Sequence, residues 1–372
     1  MGDLSAAPFA PVIEDPAAAT PAWLSEALTR GGTPAKVSDV AHEKIGAGQI
    51  GACYRFRLTH DGVAPDTLIL KTVAGDLEQR AKVQRAYRAE VTFYRTFASL
   101  TRVNTPRCFY AALAEDGLGF TLLLQDAAPA VAGSQADGCT LDQAAAAIRN
   151  LAGLHGPLWN SPALEQAAWT ATDPARAARM ASMHALATAK LIERYRDDLP
   201  ANEAAALRRI CDFTEAWLLG RAGDPRVLVH GDYRLDNLLF AAGGQVWAVD
   251  WQAMELGPPG RDVAYFLATA LDRETRRAHE AELLRAYHEQ VLSYGVSGYS
   301  LEDCRTDYRR GMLQASYVTS IGCMLATGER SAASDAMFLS MIRRAAQALE
   351  DLEVAEVLAE GEPPLIQTLS SS

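Results

Sequence analysis

No stretch of this 372-residue chain is apolar over the length a membrane-crossing helix needs. Its six cysteines, Cys53, Cys108, Cys139, Cys211, Cys304 and Cys323, are scattered and form no C-x-x-C pair. Neither a zinc site nor a disulfide framework is therefore indicated, and reduced thiols in a cytoplasmic protein are the expectation. Basic residues are in deficit, 35 Lys and Arg against 46 Asp and Glu, for a net charge of −11. That balance argues against a nucleic-acid partner, which would favour a basic stripe. It does not by itself imply a cationic ligand, because acidic surfaces mostly serve solubility. Residues 1–20 are rich in Ala and Pro and lack the basic start and apolar core of a signal peptide. Ser5 followed by Ala6 misses the myristoylation pattern. There is no internal repeat and no Walker A Gly-Lys-Ser/Thr. What remains is a soluble globular chain, just under half apolar and long enough for two lobes and a sizeable core.

The stretch from Val227 to Phe240 holds His230-Gly231-Asp232 and, five residues past Asp232, Asn237. Val246 to Val249 then leads into Asp250-Trp251-Gln252. Arg226 to Val229 and Val246 to Val249 read as short buried strands, with a turn at Ala241 to Gly244 between them. Asp232, Asn237 and Asp250 are thus placed at strand ends and on the loop beside them. A carboxylate, an amide and a second carboxylate so placed suit phosphoryl transfer. One carboxylate orients and deprotonates a hydroxyl, while the amide oxygen and the other carboxylate hold Mg²⁺.

Upstream, Pro21 to Arg30 has helical spacing and Val37 to Lys44 reads as a strand. Gly46, Gly48 and Gly51 lie between two strand-like runs, a hairpin whose backbone can approach a phosphate closely, or simply a turn. Thr67 to Val73 is a strand with one lysine, Lys71, in an apolar run; facing inward it needs a partner, and on an edge strand it could reach solvent instead. The next helix, about Leu77 to Ser99, carries Glu90 as the natural ion-pair partner. Strands over residues 105–113 and 120–126 follow. The second ends near Gln125 to Ala128, where exposed backbone could bind adenine, and the Ala/Gly/Pro/Ser-rich run that follows fits a linker. From Thr140 the pattern is helical. Thr140 and Gln143 form a plausible capping box for a helix ending at His155, which reads as packing or capping. Further helices are expected over residues 175–199, 203–219, 262–271, 273–294, 301–325 and 334–358.

His230-Gly231-Asp232 with Asn237 and the distal Asp250 resembles the H-G-D-x-x-x-x-N and distal Asp of the aminoglycoside phosphotransferase and choline kinase superfamily. Asp250-Trp251-Gln252 and Gly257-Pro-Pro-Gly260-Arg261-Asp262-Val-Ala-Tyr265-Phe266-Leu267 look closer to its ecdysteroid-kinase-like branch. The resemblance implies an α+β, two-lobed protein-kinase-like fold: an N-lobe antiparallel sheet with a helix, and a mainly helical C-lobe. It divides the chain into a loose segment 1–20, a nucleotide-binding N-lobe 21–126, a hinge or linker 127–139, a C-lobe 140–359 and a loose tail 360–372. It also implies ATP and Mg²⁺, with Asp232 catalytic and Asn237 and Asp250 on the metal. Gly46, Gly48, Gly51, Lys71, Glu90 and Gln125 would serve the nucleotide. His230 would shape the loop, and Asp262 would cap its helix and brace the loop. Only eleven residues separate Asp250 from Asp262 and no Ala-Pro-Glu follows, which leaves no room for a protein-kinase activation loop. The acceptor expected is a hydroxyl on a largely apolar small molecule, steroid-like or hydroxyacyl. The apolar content of Gly311 to Val318 and Gly322 to Leu325 favours it, while Asp303 and Asp307 leave a cationic acceptor open. The alternatives are an aminoglycoside or choline/ethanolamine-type kinase, or a non-catalytic nucleotide-binding module. The sequence does not give the oligomeric state.

Overall fold

The computed structural model describes residues 11–46, 50–221, 223–326 and 331–360. They form two compact units. The first takes in the chain up to Ser99, Thr105–Pro129 and Asp250–Ala253; the second takes in Leu100–Asn104, Ala130–Val249 and the chain from Met254.

In the first unit α1 (Pro21–Arg30) starts at Thr20, whose hydroxyl accepts from the Trp23 N–H, with Pro21 preset for the first turn. Trp23, Leu24, Ala27 and Leu28 make its buried stripe. Five antiparallel strands follow: β1 (Ala35–Ile45), β2 (Gly51–Gly62), β3 (Thr67–Val73), β4 (Cys108–Leu113) and β5 (Phe120–Gln125), in the order β1-β2-β3-β5-β4. The period of two in a strand decides what each face carries. Phe56, Leu58, Leu68 and Leu70 join the core under α1, so Cys53 and Lys71, paired across β2 and β3, turn to the opposite face. The helix α2 (Leu77–Thr92) begins with a capping box between Asp76 and Gln79. The run expected as one helix to Ser99 widens at Phe93–Phe97 into a π-type turn. The expectation of a loose segment 1–20 is corrected for its second half. Ile13 is buried, its N–H donates to Thr121 Oγ1 at 2.7 Å, and its carbonyl accepts from the Thr72 and Thr121 hydroxyls.

The second unit is mainly helical: α3 (Leu141–His155), α4 (Pro174–Arg194), α5 (Ala201–Ile210), α6 (Thr214–Leu219), α7 (Gly260–Ala270), α8 (Arg273–Ser293), α9 (Leu301–Gly311), α10 (Leu313–Leu325), α11 (Ala332–Asp351) and α12 (Val354–Ala359). α3 starts with the expected Thr140–Gln143 capping box. Every residue of α7 is buried, which makes it the axis of this unit. α7 and α9 cross at backbone contact: a Cβ on Gly260 would lie 2.0 Å from the Asp307 carbonyl oxygen, and one on Gly311 2.1 Å from that of Gly260. The single helices expected over residues 203–219, 301–325 and 334–358 are each broken in two. The part of the expected linker from Val131 onward is also built in. β6 (Val131–Ala132) pairs with β8 (Leu238–Phe240), and the buried Gln135 donates to Thr269 O and accepts from the Leu235 N–H.

Two small ladders carry the motif. β7 (Val227–Val229) pairs with β10 (Glu255–Gly257), and β9 (Val246–Ala248) pairs with β8. The turn between β8 and β9 uses Gly243 and Gly244 at φ 84° and 82°, conformations other residues reach only with strain. The hairpin is closed at its far end by the Val249 N–H donating to Asn237 O, 3.0 Å. Among the described residues no helix is long and apolar enough to cross a membrane.

Candidate active site

In the first unit, Lys71 reaches across the sheet face opposite α1. Its Nζ lies 2.7 Å from Glu90 Oε1 on α2 and 3.1 Å from Asp250 Oδ1. Lys71 and Glu90 are both buried. Burial disfavours the ammonium, but the charges of Asp250 and Glu90 outweigh it and hold the Lys71 pKa up. Burial pushes the Glu90 carboxyl up, with Lys71 and Gln252 pulling it back. An uncompensated buried lysine would lose its proton; this one is kept charged by two carboxylates.

Asp250 has φ 67°, in the left-handed region that Asp tolerates better than most residues. The next residue anchors it. Trp251 is fully buried, stacked on Phe93 with ring centroids 3.4 Å apart, and its Nε1–H donates to Thr105 Oγ1 at 3.2 Å. Trp251 thus fixes the backbone from which the Asp250 carboxylate projects, with 41% of that side chain exposed.

The glycines play different parts. Gly46 closes β1 at φ 68° with open space where a Cβ would stand. Gly51, expected to let the backbone approach a phosphate, is instead buried at the start of β2. A Cβ there would lie 3.1 Å from Thr72 O, so its small size serves packing. Gly48 lies outside the described residues. Gln125 closes β5, but its N–H donates to Arg107 O and its side-chain oxygen accepts from the Arg107 N–H. Its amide is therefore engaged within the sheet.

In the second unit, β7 delivers the chain into His230 and then Gly231, at φ 80°. Asp262, in the first turn of α7, takes both of their amides: the His230 N–H donates to Oδ2 at 2.6 Å and the Gly231 N–H to Oδ1 at 2.9 Å. The expectation that Asp262 caps its own helix is corrected: α7 has no side-chain cap, and the carboxylate braces the loop only. Burial would raise its pKa, but His155, His230 and the backbone N–H donors more than reverse that, and it stays an anion. His155, read from the sequence as packing or capping, lies buried behind it, Nε2 3.3 Å from Asp262 and Nδ1 2.7 Å from the Tyr287 hydroxyl. His230 Nδ1 accepts from the Asp232 N–H, and Nε2 sits 3.1 Å from Val249 O, which places the ring proton on Nε2.

Three groups hold Asp232. Tyr265 donates its hydroxyl to Oδ1 at 3.0 Å, and Asn237 donates Nδ2 to Oδ2 at 2.8 Å. The Arg234 guanidinium lies 3.3 Å from Oδ1 and also binds Asp236. Burial, then the Asp232 charge, lift the Tyr265 pKa well above the usual phenol range, so it remains a donor. With Asn237 Nδ2 turned to Asp232, its Oδ1 points away and receives no hydrogen bond among the described residues. Beneath the loop, Gln314 Nε2 donates to Gly231 O at 2.9 Å, and Arg261 donates to Gln314 Oε1.

Sequence reasoning missed Tyr265, Arg234 and Gln314. Tyr265 had a signal: it lies three residues past Asp262, on the same helix face. Gln314 had none, because its partner is 83 residues away.

Asp262→Asn is expected to destabilise the chain by about 1–3 kcal/mol, because one buried N–H would then face an amide NH₂ in place of an acceptor. Urea unfolding of both proteins checks this. The folded-state pKa is depressed, so the parent's added stability is full above pH ~4, the unfolded value, and fades below it. The gap between parent and variant should narrow as the pH falls through that range; a gap that is constant with pH would count against an ionised Asp262.

The family model of the ecdysteroid kinase-like family matches residues 51–294. No curated protein matches the chain by sequence. Among solved structures, choline kinase from Cryptosporidium parvum Iowa II is similar at TM-score 0.56 and 10% identity, over 85% of this chain and 91% of that one. A candidate aminoglycoside phosphotransferase from Ralstonia eutropha JMP134 is similar at TM-score 0.51 and 17% identity, over 89% of this chain and 98% of that one. At these identities the likeness speaks to the fold alone, and it agrees with the α+β, protein-kinase-like fold expected from the sequence.

Proposed function

The chain belongs to the ecdysteroid kinase-like family, and from that premise we propose that it transfers the terminal phosphoryl group of ATP to a hydroxyl of a largely apolar small molecule. The observation that carries this reading is the Asn237 side chain. Its nitrogen orients the Asp232 carboxylate, and its oxygen, which receives no hydrogen bond among the described residues, would be available to a cation. On this reading one amide would serve both the base and the metal, a use that suits phosphoryl transfer and that a turn or a solvated loop does not call for.

On this reading Asp232 receives the acceptor proton as the hydroxyl oxygen bonds to the γ-phosphorus and the bond to the ADP leaving group breaks. Lys71, kept charged by Glu90 and Asp250, binds the nucleotide phosphates. Asn237 and Asp250 would hold Mg²⁺, whose chemistry is to neutralise the phosphate charge. The residues fit that ion. Among the described residues no cluster of three or more His, Cys, Asp or Glu could hold a metal. Mg²⁺ takes only one or two protein ligands in such sites and completes its shell with phosphate and water.

The acceptor reading rests on Arg234. Its guanidinium pairs with both Asp232 and Asp236, so both carboxylates are engaged and their charge is partly offset. A polycation or quaternary ammonium would need them unpaired and would meet the arginine's charge. Two other acids weigh less for a cation than the sequence allowed. Asp303 is engaged in a capping box with Ser300, and Asp307 is buried against the Tyr299 hydroxyl. The apolar run from Gly311 to Ser316 is buried, and of the stretch to Val318 only Tyr317 and Val318 are part-exposed.

A competition screen of apolar alcohols, hydroxyacyl compounds, choline and aminoglycosides under Mg-ATP tests this, read by mass spectrometry for the gain of one phosphate. Saturable phosphorylation of an apolar alcohol is expected. Efficient phosphorylation of choline or an aminoglycoside alone would overturn the acceptor class, and nucleotide binding with no turnover on any acceptor would favour a non-catalytic module.

A further inference from the structure

The second unit has a cavity of about 80 Å³, open to solvent, between α6, α9 and α12. Its wall contains none of Asp232, Asn237 or Tyr265. Phe213, Trp217, Val357 and Leu358 give it an apolar body, and Arg221 and Arg310 stand at its side. Arg221 Nη1 is buried and has no hydrogen-bond partner among the described residues. A buried guanidinium N–H left unpaired is costly, and native structures rarely keep one without a ligand or water to satisfy it. Arg221 and Arg310 line the same cavity, and burial together with the charge of Arg221 lowers the Arg310 pKa.

The two acids of the wall are committed elsewhere. Asp224 Oδ2 accepts from the backbone N–H of Arg221, and Asp307 Oδ2 accepts from the Tyr299 hydroxyl. They leave the guanidinium forks without a bonded acceptor among the described residues, yet their charge sets a limit on what can enter. A dianionic phosphate would face both. A single carboxylate matches one fork with two parallel hydrogen bonds and adds only one negative charge. We propose that this cavity is a second small-molecule site, which takes a monocarboxylate carried on a short alkyl or single-ring body.

The wall is continuous with the support of the His230–Asp232 loop. The Arg261 guanidinium lies 4.5 Å over the Trp217 ring, bonds to Gln314, and Gln314 holds Gly231 O. The binding claim itself does not depend on the kinase reading.

Isothermal titration of the full chain with hexanoate and benzoate, and with hexylamine as the matched cation, tests the site. None of the three carries a hydroxyl, so none can act as phosphoryl acceptor. Saturable binding of a carboxylate and none of the amine is expected. Arg221→Met should weaken it roughly tenfold or more, the loss of charge-assisted hydrogen bonds. Leu358→Trp should abolish it by filling the cavity. Both variants should keep the parent's far-UV circular dichroism and cooperative thermal unfolding, which report an intact fold. No carboxylate binding, equal binding of hexylamine, or carboxylate affinity unchanged in both variants overturns the proposal. Because the readout is binding, failure here leaves the kinase reading standing, and failure of that reading leaves this one.

Discussion

Asp232→Asn is expected to lower turnover by about 10²–10⁴-fold, the usual contribution of a positioned general base. Its affinity for Mg-ATP should stay near that of the parent. The geometry makes this substitution a clean one. Asp232 is held by Tyr265, Asn237 and Arg234, all on the second unit's own elements. An asparagine of the same shape can keep one oxygen toward Tyr265 or Arg234, so the loop should hold its form. What it cannot do is take a proton. The loss should therefore fall on the chemical step and be seen in single-turnover kinetics, with little change in nucleotide titrations. Tyr265→Phe gives the graded comparison. It removes one hydrogen bond to the carboxylate and leaves the base, so a smaller loss is expected. Near-parent turnover in Asp232→Asn would remove Asp232 from the role and with it the Asp232 part of the mechanism.

The contrast between these residues shows what a sequence can and cannot disclose. Lys71 was legible because one charged residue in an apolar strand must be explained, and Glu90 because the following helix offered few acids to explain it. The pair is closed at 2.7 Å. The strands around the motif were legible as apolar runs, but their partners were not. Val246–Ala248 pairs with Leu238–Phe240, a run given no element in the sequence, and Val227–Val229 pairs with the later Glu255–Gly257. Pairing between three-residue strands is set by tertiary packing and leaves no period to read. The linker was misread for the reverse reason. Its Ala, Gly, Pro and Ser content signals loop, yet Gln135 within it is buried and tied to Leu235 and Thr269. Gly51 looked like a phosphate-approach glycine and is a packing one, because composition cannot tell which of the two uses of a missing Cβ applies. Asp262 was placed in the right neighbourhood with only half its duty right. A carboxylate in the first turn of a helix usually serves that helix, and here the unpaired amides of the incoming loop compete for it and win.

The second large effect is expected at Asp250. Asp250→Asn should lose the Mg²⁺ dependence of ATP binding and should lower turnover by about 10²-fold or more, given that charge stabilisation by a metal in such sites is worth several kcal/mol. Asn is the informative replacement and Ala is not. Residue 250 has φ 67°, which Asn and Asp tolerate and Ala does not, so an alanine there would add about 1–2 kcal/mol of backbone strain to the loss of the ligand. Asn also keeps an oxygen within reach of Lys71 Nζ, which lies 3.1 Å from the present carboxylate, and Lys71 retains Glu90 in either case. The substitution therefore subtracts the charge and little else. Titrations with ATP in the presence of Mg²⁺ and of EDTA separate the roles. The parent should bind far more tightly with Mg²⁺, and Asp250→Asn should bind about equally in both. Lys71→Ala should weaken binding in both conditions while keeping the Mg²⁺ preference, because it removes a phosphate contact and leaves the metal ligands in place. If Asp250→Asn kept the parent's preference for Mg-ATP, the carboxylate would have no part in holding the ion, and Asp250 would be left with a duty the structure already gives it, keeping Lys71 charged.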